Sequence, residues 1–206
     1  MTNSSQATAD DALLDRAHAA EERARAIIGE LGIEAAWRAV GAEAHLVGSL
    51  RMGLLMRHRD IDFHVYSQRF ELADSFAAMA QIARHPGVQK IAYANLLATE
   101  ERCLEWHAWY ADQEGALWQL DLIHLLDDSP FAGHFERVAD RVRAALTPET
   151  RSAILAIKDG LPDDGEKVMG IEVYQAVLRD GVRDLAAFRR WRAARGPATG
   201  IIDWSP

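Results

Sequence analysis

The residues best suited to chemistry lie in one run, VGSLRMGLLMRHRDIDFHV, at residues 47–65. Its last part, DIDFHVY (60–66), alternates strictly between polar and apolar residues and predicts a strand. Side chains alternate across a strand, so Asp60 and Asp62 project from the same face, ~7 Å apart at Cα, while Ile61, Phe63 and Val65 point into a core. Two carboxylates on one face repel unless something neutralises them. A hard divalent cation does so, and Mg²⁺ typically takes one or two carboxylates together with substrate phosphates.

Gly48-Ser49 stands at a predicted strand end, before a short predicted helix. Glycine lets the backbone approach a phosphate closely, the N–H groups that open a helix attract anions, and Ser49 can cap that helix or donate to a phosphate oxygen. A third carboxylate, Asp121, sits inside the very apolar run LWQLDLIHLL (117–126). A buried carboxylate needs a partner. A neighbouring strand that set Asp121 beside Asp60 and Asp62 would complete a site for two ions, able to clamp the attacking and leaving oxygens of an in-line displacement. Asp121 is also placed to activate an acceptor hydroxyl.

Val47-Gly48-Ser49, a short helical spacer, Asp60-Ile61-Asp62-Phe63 and then a lone Asp121 in an apolar strand resemble the nucleotidyltransferase superfamily, which includes polymerase-β-like, aminoglycoside and lincosamide nucleotidyltransferases. The resemblance covers roughly residues 30–126. It implies transfer of a nucleoside monophosphate from an NTP, ATP being expected, to a hydroxyl of a small-molecule acceptor, with pyrophosphate leaving. It implies Mg²⁺, as one or two ions, on Asp60, Asp62 and Asp121. By analogy with related enzymes, Lys158 or Lys167 from a second domain would reach the triphosphate and Tyr174 would stack near the base.

Each feature also has a plainer reading. Asp60 and Asp62 suit a turn or helix entry, Gly48-Ser49 suits a tight turn, and Asp121 could pair with Arg51, Arg57 or Arg59. Arg51, Arg57 and Arg59 flank the presumed phosphate nest, where the planar guanidinium fork suits phosphate, but an Arg on a short exposed helix is often only solvated. Glu105 and His107 alternate onto one face of the stretch 101–110 and could touch the acceptor, as could His64; an ordinary polar sheet face explains them too. Asp127 and Asp128 suit a cap. Lone lysines are usually solvated and a helical Tyr usually belongs to a core.

The elements that would position these residues are readable in outline. Residues 10–29 carry apolar positions at helical spacing and predict a helix stopped near Gly29 or Gly32. Helices are expected at 34–40, 50–57 and 70–84, and β-like stretches at 43–49, 60–66, 87–95, 101–110 and 116–126. From Ser129 onward the pattern is helical: 131–146, 148–159 with Pro148 setting the first turn, 166–179 and 183–194, with stops at Gly160 and Gly181. The expected fold class is α/β (α+β), a mixed nucleotidyltransferase-type sheet flanked by helices and followed by a C-terminal helical bundle. The expected divisions are a disordered 1–10, an α/β domain over 11–128 and a helical domain over 129–206.

The chain has 206 residues, with 23 basic and 31 acidic side chains and a net charge of −8. That balance disfavours general nucleic-acid binding, which needs a basic face to displace counterions. It leaves room for a small anionic substrate held by local Arg and Mg²⁺. No run approaches a membrane span and the polar start does not read as a signal peptide, so a cytoplasmic location is expected. A single Cys103 excludes an internal disulfide. Completion of the site across a homodimer stays open. Rival readings are a non-catalytic nucleotide-binding, regulatory or toxin-neutralising module with the same fold, and an enzyme that modifies a protein hydroxyl or an RNA end.

Overall fold

The computed structural model describes the backbone of residues 2–9 and the whole of residues 10–69, 71–127, 129–162, 168–198, 200, 202 and 204–206. In chain order the elements are α1 (Thr2–Leu31), α2 (Ile33–Arg38), β1 (Glu43–Leu46), α3 (Gly48–Met52), β2 (Asp60–Ser67), α4 (Leu72–Ile82), β3 (Val88–Asn95), β4 (Leu104–Ala111), β5 (Leu117–Leu126), α5 (His134–Ala145), α6 (Pro148–Asp159), α7 (Gly170–Tyr174) and α8 (Leu185–Arg195). A π-helical turn, Gln175–Arg179, continues α7.

Two compact units form. One comprises Glu22–Arg51 with Arg59–Arg137; the other comprises the residues up to Glu21, Met52–His58 and Val138–Pro206. The first holds a five-stranded sheet in the order β1-β2-β5-β4-β3. Strands β2 and β5 are parallel and every other pair is antiparallel. A parallel pair needs a long connection, here supplied by α4, β3 and β4.

Alternation gives the sheet one dry face. Ile61, Phe63, Val65, Leu104, Trp106, Ala108, Leu120 and Leu122 are each at most 2 % exposed. Helix α4 turns Ser75, Ala78, Met79 and Ile82 inward, and α2 turns Ile33, Ala36 and Trp37 inward. A polar thread crosses this core. The Trp106 indole N–H donates to Ser75 Oγ at 2.9 Å. His124 then bridges two hydroxyls, with Nδ1 3.2 Å from Ser75 Oγ and Nε2 2.9 Å from Ser67 Oγ.

Burial lowers the His124 pKa from 6.5 to about 4. The unfolded chain therefore takes up a proton that the folded chain refuses, so this contribution is complete above pH 6.5 and is lost as the pH falls toward 4. The shift corresponds to roughly 3 kcal/mol. Urea midpoints are expected to fall across this window. A His124→Asn variant should show a shallower slope, by up to about one proton. Identical slopes in the two proteins would contradict the assignment.

The second unit is helical. Thr147 caps α6, accepting from Thr150 N–H, Pro148 opens the first turn and Gly160 follows the last. Its core packs Ile154, Ile157, Val142, Val173, Val177 and Phe188 with Met52 and Leu54.

Two expectations change. Helix α1 runs from Thr2 rather than from residue 10, and neither Gly nor Pro interrupts residues 2–28. The helix expected at 50–57 stops at Met52, because Gly53 turns left-handed at φ +72°. Each compact unit draws on more than one stretch of the chain. Met52 and Leu54 bury their side chains in the helical core, so the segment 52–58 belongs with the later helices.

Candidate functional site

The other sheet face carries the polar half of each alternation. Register places Asp62 of β2 opposite Asp121 of β5, and Asp121 opposite His107 of β4. These three residues form one row across three strands, each step ~4.8 Å. Asp60 lies opposite Gln119 in the next row. Asp60, Asp62, Glu105, His107, Gln119 and Asp121 are all half-buried.

The turn before α3 is built against this row. Val47 N–H donates to Asp62 O at 2.9 Å, tying the turn to β2. Gly48 has φ +64°, and a Cβ there would overlap the Asp62 carboxylate, lying 2.7 Å from its Cγ and 2.9 Å from its Cβ. Arg51 Nη1 donates to the Leu46 carbonyl at 3.1 Å, so the guanidinium braces this turn. Arg59 is exposed beside β2, and its carbonyl accepts from Gln119 N–H at 2.7 Å.

Two enclosed atoms stand out. Asp60 Oδ1 and Ser49 Oγ are buried without a hydrogen-bond partner. An unpartnered buried polar atom costs roughly 1–3 kcal/mol, more when charged. A carboxylate oxygen wanting a cation and a hydroxyl wanting an acceptor, beside a glycine that admits no side chain, fit a Mg²⁺–phosphate group. Among the described residues, however, no group of three or more His, Cys, Asp or Glu side chains is arranged to hold a metal ion. The Asp121 carboxylate is engaged by its neighbours. Its Oδ1 is 2.5 Å from His107 Nδ1 and accepts from Gln119 Nε2 at 2.8 Å. The register thus aligns Asp121 with Asp62, while its carboxylate is engaged toward β4.

His107 is held on both sides, because its Nε2 lies 3.3 Å from Glu105 Oε1. Both ring nitrogens face protein carboxylates, so His107 braces rather than offering a free ring to an acceptor. His64 shares the face of Asp60 and Asp62 but is enclosed at 7 % exposure, its ring 4.6 Å from that of Phe135. Burial pushes its pKa down to about 4, against the pull of Glu136. Tyr66 continues the same alternation; its hydroxyl donates to Glu136 Oε2 and accepts from Gly133 N–H, both at 3.1 Å. Glu136 Oε1 is a further enclosed atom without a partner. Tyr66 and Gln119 were readable from period-two spacing; Glu136 left no sequence signal.

Lys158 and Tyr174 have structural roles. Lys158 is 7 % exposed and its Nζ donates to the Leu54 carbonyl at 2.7 Å. Tyr174 is 3 % exposed in the helical core, 5.9 Å from that Nζ. The expected triphosphate and base contacts are therefore replaced at both positions by interior packing. Lys167 and Asp128 lie outside the described residues.

No protein-family model and no curated protein sequence matches the chain. Solved structures do. A cytoplasmic RNA terminal U-transferase superposes with TM-score 0.51 at 15% identity, over 77% of this chain and 46% of that one. The GLD-2/RNP-8 complex gives TM-score 0.53 at 9% identity, over 82% and 64%. The polymerase core of TRAMP, an RNA surveillance complex, gives 0.50 at 15%, over 76% and 48%. The fold is shared with these structures, a mixed sheet of the nucleotidyltransferase type flanked by helices, as the Gly-Ser and Asp-Ile-Asp pattern implied. The chain spans less than two thirds of the length of each of these neighbours. No described helix is long and apolar enough to cross a membrane.

Proposed function

We propose that this chain is a Mg²⁺-dependent nucleotidyltransferase that moves a nucleoside monophosphate from an NTP, with ATP the expected donor, to a hydroxyl of a small-molecule acceptor. The observation that carries this reading is the pair of enclosed, partnerless atoms, Asp60 Oδ1 and Ser49 Oγ, beside the Gly48–Asp62 contact. Asp60 and Asp62 would hold the ion. The Gly48-Ser49 turn would hold the phosphates, with Arg59 contributing charge from the solvent side. Bound Mg²⁺ would supply charge neutralisation on the triphosphate. Asp121 would orient the acceptor hydroxyl and take its proton as that oxygen bonds to the α-phosphorus and the bond to pyrophosphate breaks.

A small acceptor is favoured by charge. The site face bears Asp60, Asp62, Glu105 and Asp121, and the chain carries −8 overall, which suits a neutral or cationic molecule better than a polyanion. A second reading, addition to an RNA end, is favoured by the RNA terminal U-transferase and the TRAMP polymerase core among the structural neighbours. Calorimetry with ATP, with and without Mg²⁺, followed by pyrophosphate release with polyhydroxylated amines or short RNA oligomers, tests both. Mg²⁺-dependent ATP binding and release with a small acceptor is expected. Release with RNA alone transfers the conclusion to the second reading. Binding without release for any acceptor favours a regulatory module, and no NTP binding at all overturns the proposal.

A further inference from the structure

We infer that His107, clamped by Glu105 and acting together with Gln119, is the positioning residue that sets the rotation of the Asp121 carboxylate. The inference rests on the proposed function and deepens it. The Asp121 carboxylate is held by two side-chain donors, and both reach the same oxygen. His107 Nδ1 lies 2.5 Å from Oδ1, and Gln119 Nε2 donates to Oδ1 at 2.8 Å. Two donors on one oxygen fix the plane of a carboxylate about its last torsion and leave Oδ2 as the oxygen for a cation or an acceptor hydroxyl.

The donors come from separate places. Gln119 stands two residues before Asp121 on the same face of β5, and His107 is the cross-strand partner of Asp121 on β4. The imidazole would swing unless held, and Glu105, two residues before it on β4, does the holding: Nε2 is 3.3 Å from Oε1. The ring thus lies between two carboxylates, and in the tautomer with its proton on Nδ1 it donates to Asp121. This is the outer-layer hydrogen bonding whose loss at metal centres costs ~10–100-fold in affinity or activity.

The test compares His107→Leu, which removes both ring nitrogens, with His107→Asn, whose Nδ2 occupies the place of Nδ1. Mn²⁺ affinity is read by electron paramagnetic resonance on the full chain, and kcat and KM for ATP by pyrophosphate release. Imidazole ¹⁵N shifts of His107 are compared between the wild-type protein and Asp121→Asn. His107→Leu is expected to weaken Mn²⁺ binding and kcat ~10-fold or more with KM for ATP within about twofold, and His107→Asn to restore most of both. Asp121→Asn should shift the Nδ1 resonance. If wild type binds Mn²⁺, Asp62→Asn does not, and His107→Leu matches wild type, the positioning role fails while the proposed function stands. If His107→Asn is as impaired as His107→Leu, the ring only packs and the inference is overturned. An unmoved Nδ1 resonance in Asp121→Asn also overturns it, without reference to activity. A wild-type chain that binds no Mn²⁺ sinks the proposed function and this inference with it.

Discussion

Asp62→Asn is expected to lower pyrophosphate release by ~10³-fold or more while leaving a folded protein. The substitution keeps shape and volume and removes one negative charge. That charge sits in the register row with Asp121, two residues from Asp60, and against the Gly48 turn, where cation and phosphate would meet. The amide matches the carboxylate in size, so the melting temperature of the metal-free protein should stay close to that of wild type, unlike that of a core substitution. Mg²⁺ and ATP together should raise the melting temperature of wild type, because a ligand that binds only the folded state stabilises it, and should not raise that of the variant. Asp60→Asn should behave alike, since Asp60 Oδ1 is already enclosed without a partner. Turnover within about tenfold of wild type in both variants would end the mechanism; a rate loss of this size needs the removed interaction to belong to the transition state.

Local patterns carried much of the site and of the fold, and pairing carried the rest. The alternation of Asp60 to Tyr66 named β2 and both of its faces, because period two is a property of any strand. The Thr147-Pro148 start and Gly160 stop gave α6 its observed limits, because caps act within one turn. That Asp121 stands opposite Asp62 was only a requirement of the chemistry, since register between β2 and β5 is set by packing between residues far apart in the chain. The same non-local pairing placed His107 on Asp121, which turned an expected substrate contact into a brace. Lys158 misled for a different reason. A lysine in a helix reads as solvated until the Leu54 carbonyl, left unpaired by the irregular segment 52–58, supplies a buried acceptor. Membership of that segment in the helical core was equally silent in the sequence, for a short apolar run says nothing about which core it will join.

Gly48→Ala should damage stability and turnover together, and this pairing separates it from Asp62→Asn. A side chain at φ +64° enters the left-handed region, at roughly 1–2 kcal/mol for a non-glycine residue. The added methyl also overlaps Asp62. Rotating the carboxylate away does not suffice, because the Asp62 Cβ is itself only 2.9 Å from the new atom. The turn or β2 has to shift, against the 2.9 Å hydrogen bond from Val47 N–H to Asp62 O. The expected total is about 2–3 kcal/mol of stability, overpacking added to backbone strain. Misplacing Asp62 by as little as ~1 Å should cost on the order of 10²-fold in kcat. Gly115→Ala isolates the backbone part. Gly115 has φ +78° with nothing within 4 Å of its Cβ position, so that variant should lose about 1 kcal/mol and keep its turnover. If denaturation and kinetics show Gly48→Ala no worse than Gly115→Ala, the Gly48–Asp62 contact is not what aligns the carboxylate. The close approach of turn and strand would then be a packing detail, because a contact that aligns a functional carboxylate has to register in both measurements.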